Sequence, residues 1–573
     1  MVLPSDATSV FGRLLGSDAG HWSLRADADA ELERSYVEDS LVVRTSFTTT
    51  TGRVDVLDAL ALTPGSRGHD IGRSVPHLLA RLVRGVHGTV PMSTQILPRF
   101  DYGMTAPRIE REYGAVTMRR GPLTLCLRSE VPLEVSDGGA GATFEVSEGQ
   151  EVGFTLADAR TFGDRPPALL EASDVIDDTV AGWRSWMDLH RSYDGQHSDQ
   201  VRRSALVLQG LTFQPSGAIV AAATTSLPEA IGGDANYDYR FTWLRDLSMT
   251  LQAQWVAACP HEAARYFHWL TTATGSLDDA EPQIMYGVEG EQLLTEETLE
   301  HLAGYDDSRP VRVGNAAWKQ RQLDVIGEIL NAAHLLRDQL DPIDPEIRIM
   351  LVRLADQAAA RWDQPDAGMW EARDRRRHYL TSKVLCWVAL DRAVRLHDLL
   401  DAADRVERWS EVRDRIHRTV LDEGWSDDAG AYTGAFGSDR LDASVLLMPI
   451  VGFLPATDER MRATIDRIED ELAEGAAVRR WRGEPGGFLL TAFWLVECLA
   501  LAGDLERAES WFERASGHAN DLGLFSEEVE PSTGRLTGNF PQAFSHVGLI
   551  NAAWRLTRQA GERDSSGEPE PPS

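Results

Sequence analysis

The chain has 573 residues, 43% of them hydrophobic, which exceeds what one hydrophobic core holds and predicts a folded protein of two or more domains. It carries 57 basic against 89 acidic side chains, a formal net charge of −32. That surface repels phosphate backbones and anionic lipid, so nucleic acid and membrane are excluded as expected partners, while a small neutral substrate is compatible with it.

No uncharged apolar run approaches the roughly 20 residues of a membrane-spanning helix. The start, MVLPSDATSVFGRLLGS, lacks a basic stretch followed by a long apolar one, so no secretory signal is expected. Cys126, Cys259, Cys386 and Cys498 lie far apart among apolar neighbours, without a Cys-x-x-Cys pair. They read as buried reduced thiols of a cytoplasmic protein rather than as a metal cage or a disulfide framework.

Residues 1–170 read as a β-sandwich domain. Short segments at 41–50, 53–60, 115–118, 123–127 and 151–156 are rich in Val, Thr, Leu and Phe, and Gly, Asp and Pro punctuate them. Antiparallel sheets fit that spacing, with one helical insert around 77–83. A helical linker is expected over 171–197. From there to 560, apolar residues recur at three- and four-residue spacing. Twelve helices can be marked, at roughly 198–212, 243–258, 260–273, 314–339, 344–362, 378–398, 401–421, 442–451, 457–473, 487–502, 504–517 and 540–559. Adjacent pairs such as 378–398 with 401–421 suggest six hairpins closed into a double ring, although a plain helical bundle gives the same pattern. LLTAFWLVECLALAG at 489–503 is apolar nearly all round and reads as an inner helix, whereas 457–473 reads as outer. The tail 561–573 is polar and Pro-rich and reads as disordered.

Four loop stretches collect unusual polar and aromatic residues. ANYDYRFTWLRDLSMT at 235–250 sets Tyr237, Tyr239, Phe241 and Trp243 beside Arg245 and Asp246. Sugars present apolar ring faces and rows of hydroxyls, which call for an aromatic platform and charged forks. The plain alternative is an ion pair at a helix start. GYDDSRPVRVGNAAWKQ at 304–320 offers Arg309, Arg312 and Asn315, which could also simply cap a helix. In the third stretch, 366–393, Glu371 follows Trp370, and a carboxyl beside an indole loses hydration, which raises its pKa and suits it to general-acid work. LGLFSEEVEPSTGRLTGNFPQAFSH at 522–546 holds Glu527 and Glu528. Each stretch has an ordinary structural explanation; together they supply what glycoside hydrolysis needs, an acid, a second carboxylate and aromatics to grip a ring. Asp324 and Glu328 share a helix face at i, i+4 but rank lower, being read as mid-helix, where reach into a cleft is poor. Other chemistries fare worse: the two histidines of HEAARYFHW are seven apart, and no phosphate loop, dinucleotide fingerprint or nucleophile elbow occurs. No metal and no cofactor is expected.

At these stretches, and in order over most of 10–560, the sequence resembles glycoside hydrolase family 15, nearest its bacterial trehalase-like branch. The resemblance implies an N-terminal antiparallel β-sandwich followed by an (α/α)6 barrel, and an inverting, exo-acting α-glucoside hydrolase. Glu371 is then the catalytic acid and Glu527 the base, with Glu528 the adjacent alternative. Tyr239, Trp243, Arg245 and Asp246 form the glucose site, Arg309 and Arg312 line its approach, and Trp370 and Lys383 complete the substrate-binding set. Inversion calls for carboxyl groups roughly 6.5–9.5 Å apart. Trehalose is the expected substrate, short α-1,4- or α-1,6-gluco-oligosaccharides are the alternative, and an inactive sugar-binding relative is the alternative of another class; a homo-oligomer stays open. Two departures stand out. Ala372 occupies the place where fungal glucoamylases carry a second acid, so the leaving-group side should differ from theirs. A segment that usually precedes ATSVFGRLLG in this branch is expected to be missing.

Overall fold

The computed structural model describes residues 8–112, 114–159, 170–189, 193–257, 263–274 and 281–566. Cys259, residues 190–192 of the expected linker and residues 567–573 of the expected tail lie outside the described residues. Two units form, Met1–Leu189 with Thr298–Val311, and His190–Glu297 with Arg312–Ser573.

The first unit is built on eleven strands, among the described residues: β1 (His21–Ala26), β2 (Glu31–Tyr36), β3 (Val43–Thr48), β4 (Gly52–Leu60), β5 (Leu78–Leu97), β6 (Arg108–Glu112), β7 (Ala115–Arg120), β8 (Leu123–Ser129), β9 (Glu134–Ser136), β10 (Gly139–Ser147) and β11 (Glu151–Ala159). All pairings are antiparallel, in the order β2-β3-β4-β5-β11-β8-β7-β6. The long β5 joins two sheets. Its first half pairs with β4 and β11, and its second half with β1 and β10. The change of sheet is made at a register shift opposite Arg53 and Val54 and at Gly88, whose φ of +65° and missing Cβ let Thr51 O approach.

The sandwich core packs Val54, Val83, Met92, Met118, Leu125 and Phe154. On the far side of the first sheet, Leu57, Leu78, Ala80 and Leu82 pack against Val175, Ile176 and Val180 of α1 (Ala172–Leu189). The expected linker is thus in large part a helix of the first unit. The helix expected at 77–83 is instead the start of β5. Leu78, Ala80 and Leu82 alternate onto the α1 side, and Arg81 points to the other side and forks onto Asp58 at 2.7 and 3.1 Å.

The second unit is helical. Its described helices are α2 (Ser198–Leu211), α3 (Leu244–Ala257), α4 (Ala263–Thr274), α5 (Asp324–Leu335), α6 (Arg337–Leu340), α7 (Pro345–Arg361), α8 (Leu380–Arg395), α9 (Val406–Glu423), α10 (Leu447–Ile450), α11 (Glu459–Leu472), α12 (Leu489–Leu501), α13 (Leu505–Ser516) and α14 (Ala543–Ser566). Neighbour contacts run α3–α5–α8–α10–α12–α14 and back to α3, a closed inner ring of six. The outer helices α2, α4, α7, α9, α11 and α13 pack around it. This is an (α/α)6 barrel. The two kinds of helix differ in sequence as their surroundings demand: α12 is buried from Leu489 to Ala500 on all sides, while α9 buries only Trp409, Ile416 and Val420.

Three helix boundaries depart from the sequence pattern. The helix expected over 314–339 starts only at Asp324, because Asn315 caps a short 3-10 turn at Ala316–Lys319 and Asp366 Oδ2 accepts from Leu323 N at 2.9 Å. The helix expected over 442–451 is a 3-10 turn, Ala443–Leu446, followed by the single turn of α10. The last helix continues past residue 560 to Ser566. No described helix is long and apolar enough to cross a membrane.

Candidate active site

Helix N-termini gather the unusual loops. The residues before or at the starts of α3, α8, α12 and α14 line one cavity of about 540 Å3 in the second unit. Unpaired N–H groups and the helix dipole make such ends favourable places for carboxylates. Tyr239, Trp243, Arg245, Asp246, Trp370, Glu371 and Glu527 all line this cavity.

Glu371 stands on a tight turn. Its N–H donates to Gly368 O at 3.1 Å, and its own φ is +60°, a left-handed backbone that a residue with a side chain adopts only at a cost. Its Oε1 accepts from Trp243 Nε1 at 2.6 Å and from Arg245 at 3.3 Å. Arg245 is itself fixed by Asp324 at 3.2 Å and Gln322 at 2.9 Å. Burial raises the Glu371 carboxyl above its ordinary value, against the opposing pull of Arg245 and the Trp243 hydrogen bond. Trp243 is the indole bonded to this carboxyl. The sequence neighbour Trp370 donates instead to Asp442 at 2.8 Å and packs against Phe488 and Trp494. Asp246, in the first turn of α3, is pushed up to about 7, by burial first, with Arg245 opposing and Glu371 adding.

Glu527 and Glu528 are separated by strand alternation, since Glu528–Val529 is a rung of a short antiparallel ladder. Glu527 accepts from Tyr239 Oη at 2.5 Å, and its Oε2 is buried with no hydrogen-bond partner. Gly538, at φ +79°, lies so close that a Cβ there would come within 2.9 Å of Glu527 Cβ. Burial holds the Glu527 carboxyl well above the usual carboxylate range, the nearby Glu229 carboxylate adds to this, and Arg480 and Tyr239 oppose.

Glu528 turns to Arg480 at 2.9 Å, and the same guanidinium serves Glu229 at 2.8 Å and Glu484 at 2.6 Å. Arg480, Glu229 and Glu484 escaped the sequence reading. Their signal was present in LPEAIGGD at 227–234 and RRWRGEPGG at 479–487, Pro- and Gly-rich interruptions between helices that carry charge and tryptophan. Three carboxylates on one largely buried guanidinium, its side chain 12% exposed, make a high-stakes arrangement. Arg480→Ala should destabilise the fold by about 3–5 kcal/mol, read from denaturant unfolding, and a loss under about 1 kcal/mol would contradict this.

Asp324, ranked low as a mid-helix residue, is instead the first residue of α5 and the partner of Arg245. Glu328, one turn on, is buried and pushed up to about 8 by burial and then by Asp324. Three expected substrate-binding residues do not line the cavity. Arg309 belongs to the Thr298–Val311 segment of the first unit. Arg312 donates to Asp234 O and Asn236 O and lies over the Tyr237 ring, so it braces that loop. Lys383, buried on α8, donates to Gln364 O at 2.5 Å. Among the described residues, no group of three or more His, Cys, Asp or Glu side chains is arranged to hold a metal ion.

The arrangement offers one carboxyl, raised above its ordinary value by burial, beside a rigid donor pair, and a second with an acceptor oxygen that has no hydrogen-bond partner. Comparison with known proteins gives matches over nearly the whole chain. The pattern of the glycosyl hydrolases family 15 matches residues 195–554, and that of the trehalase-like N-terminal domain matches residues 2–143. The trehalase of Mycolicibacterium smegmatis is 38% identical, over 98% of this chain and 88% of that protein. The trehalase of Mycobacterium tuberculosis is 37% identical, over 98% and 86%. A bacterial glucoamylase solved in complex with acarbose shares the fold at a TM-score of 0.70 and 12% identity, over 98% of this chain and 96% of that one.

Proposed function

Because the chain belongs to glycosyl hydrolase family 15, we propose that it is an inverting, exo-acting α-glucosidase that splits trehalose. The observation that carries this reading is that a single cavity holds both Glu371 and Glu527, each fixed by a different set of donors. Its volume of about 540 Å3 falls within the range of small-molecule sites, about 300–1,000 Å3. The trehalases aligned along nearly the full chain support the choice of substrate.

In this reading Arg245 and Asp246 hold the glucose unit whose bond is cut. Glu371 gives its proton to the glycosidic oxygen. Glu527, ionised, takes a proton from the water that attacks the anomeric carbon on the opposite face. The charge of Glu371 is then shared with Trp243 Nε1–H and Arg245, which are already in place. Three free, buried thiols at Cys126, Cys386 and Cys498 support a reducing compartment, and hence the cytoplasm.

The test is hydrolysis of trehalose, maltose, isomaltose, kojibiose and starch, with the released anomers followed by NMR before mutarotation. Trehalose should be the fastest substrate. Inversion at one of its two anomeric carbons should give α- and β-glucose in equal initial amounts. Two molecules of α-glucose would overturn inversion, and a clear preference for maltose or starch would overturn the substrate.

A further inference from the structure

Glu229 is one of the charged residues of the cavity that this mechanism leaves unused. It lies on the loop between α2 and α3, and that loop is stitched to the hairpin carrying Glu527. Gly538 N donates to Pro228 O at 2.7 Å, Thr224 Oγ1 donates to Asn539 Oδ1 at 2.9 Å, and Asn539 Nδ2 donates to Tyr237 O at 2.9 Å. Gly538 in turn is packed against the Glu527 side chain. Glu229 therefore has a fixed position relative to Glu527. Its Oε2 is held by Arg480 at 2.8 Å, and its Oε1 has no hydrogen-bond partner among the described residues.

The charged and titratable groups around Glu527 come from four elements. Tyr239 and Glu229 come from the α2–α3 loop, Asp246 from α3, Arg480 from the loop before α12, and Glu528 from the same ladder. Arg480 is the one cation among these groups. Its field already opposes the rise at Glu527, and without competition it would fall on that carboxylate more fully and make it a poor proton acceptor. Glu229, Glu484 and Glu528 divide that guanidinium between them.

We propose that Glu229 is a positioning residue for the base: it holds Arg480 away from Glu527 and keeps a second negative charge beside it, so that Glu527 attracts the proton of the attacking water. This rests on the reading of Glu527 as the base. The direction of the Glu527 shift, raised by burial first and by Glu229 next, agrees with it.

The sign follows from the roles. Glu527 must be ionised, so kcat/KM for trehalose rises with pH through its titration. Removing the Glu229 charge should move that acidic limb to lower pH. It should also lower kcat on the plateau by about tenfold, as a weaker base accepts the proton less readily, with KM little changed. Glu229→Gln and Glu229→Ser, two neutral replacements of different volume, should shift alike if circular dichroism shows them folded. Glu229→Asp, which keeps the charge, should return the limb toward its original position. An acidic limb that stays in place in the neutral variants, or a change confined to KM, overturns the proposal in favour of a structural or substrate-contact role. Glu527→Gln is run in parallel: a near-normal rate there removes the base assignment itself, whereas an inactive Glu527→Gln beside unmoved Glu229 limbs removes only the role of Glu229.

Discussion

Glu371→Gln should lower trehalose hydrolysis by roughly 10²–10⁴-fold while leaving hydrolysis of α-glucosyl fluoride far less affected. The reason lies in the leaving group. A glucose alkoxide cannot depart without a proton, whereas fluoride departs as the anion. Trp243 and Arg245 both bond Oε1 of Glu371, and Oε2 has no hydrogen-bond partner among the described residues, so that oxygen is available to carry the proton. Gln keeps the shape of the side chain and cannot donate an acidic proton. The raised carboxyl pKa has a consequence of defined sign: the acid stays protonated above the usual carboxylate range, and trehalose turnover falls as pH rises through its titration. That basic limb should vanish from the residual fluoride hydrolysis of the variant. Equal losses on the two substrates would remove Glu371 from the role of acid.

Much of the fold is written in local pattern. The all-round apolar stretch 489–503 is inner helix α12, and the charged 457–473 is outer helix α11, because burial on two faces or one leaves a direct mark on composition. The pattern fails where a few polar contacts outweigh periodicity. Residues 314–323 carry helical spacing, yet the Asn315 cap and the Asp366 acceptor hold them in a turn, and neither partner is visible to a periodicity argument. Residues 77–83 are ambiguous for another reason: a strand covered on both faces shows an apolar run rather than clean alternation.

The site shows the same division. The NYDYRFTWLRD stretch and the two glutamates stand out because aromatic and charged residues crowd short loops. Their supports do not. Asp324, Gln322, Glu229 and Arg480 lie 79, 77, 251 and 48 positions from the partners they fix, Arg245, Arg245, Arg480 and Glu528. Trp370 shows how adjacency misleads. The desolvation argument for Glu371 was sound in kind, but the indole that bonds it belongs to Trp243, 128 positions away. The family resemblance places Arg312 and Lys383 at the substrate; in the fold both donate to backbone carbonyls, Arg312 to Asp234 O and Lys383 to Gln364 O.

Glu527→Gln should lose roughly 10²–10⁴-fold of activity on trehalose and on α-glucosyl fluoride alike, since both substrates need the water activated. The same variant should be no less stable than the parent at neutral pH. Glu527 is buried, its Oε2 lacks a partner, and Tyr239 supplies its single hydrogen bond. A carboxyl whose pKa is raised on folding costs stability at every pH above its unfolded value, increasingly until the folded value is passed. At neutral pH that cost is present, and Gln removes it while retaining an oxygen for the Tyr239 hydroxyl. The measurement pairs a thermal midpoint with two initial rates. An inactive variant with a midpoint at or above the parent's identifies a residue that the fold tolerates and the reaction requires. A near-normal fluoride rate would remove Glu527 as the base, and a large drop in the midpoint would mean that it holds the site together instead.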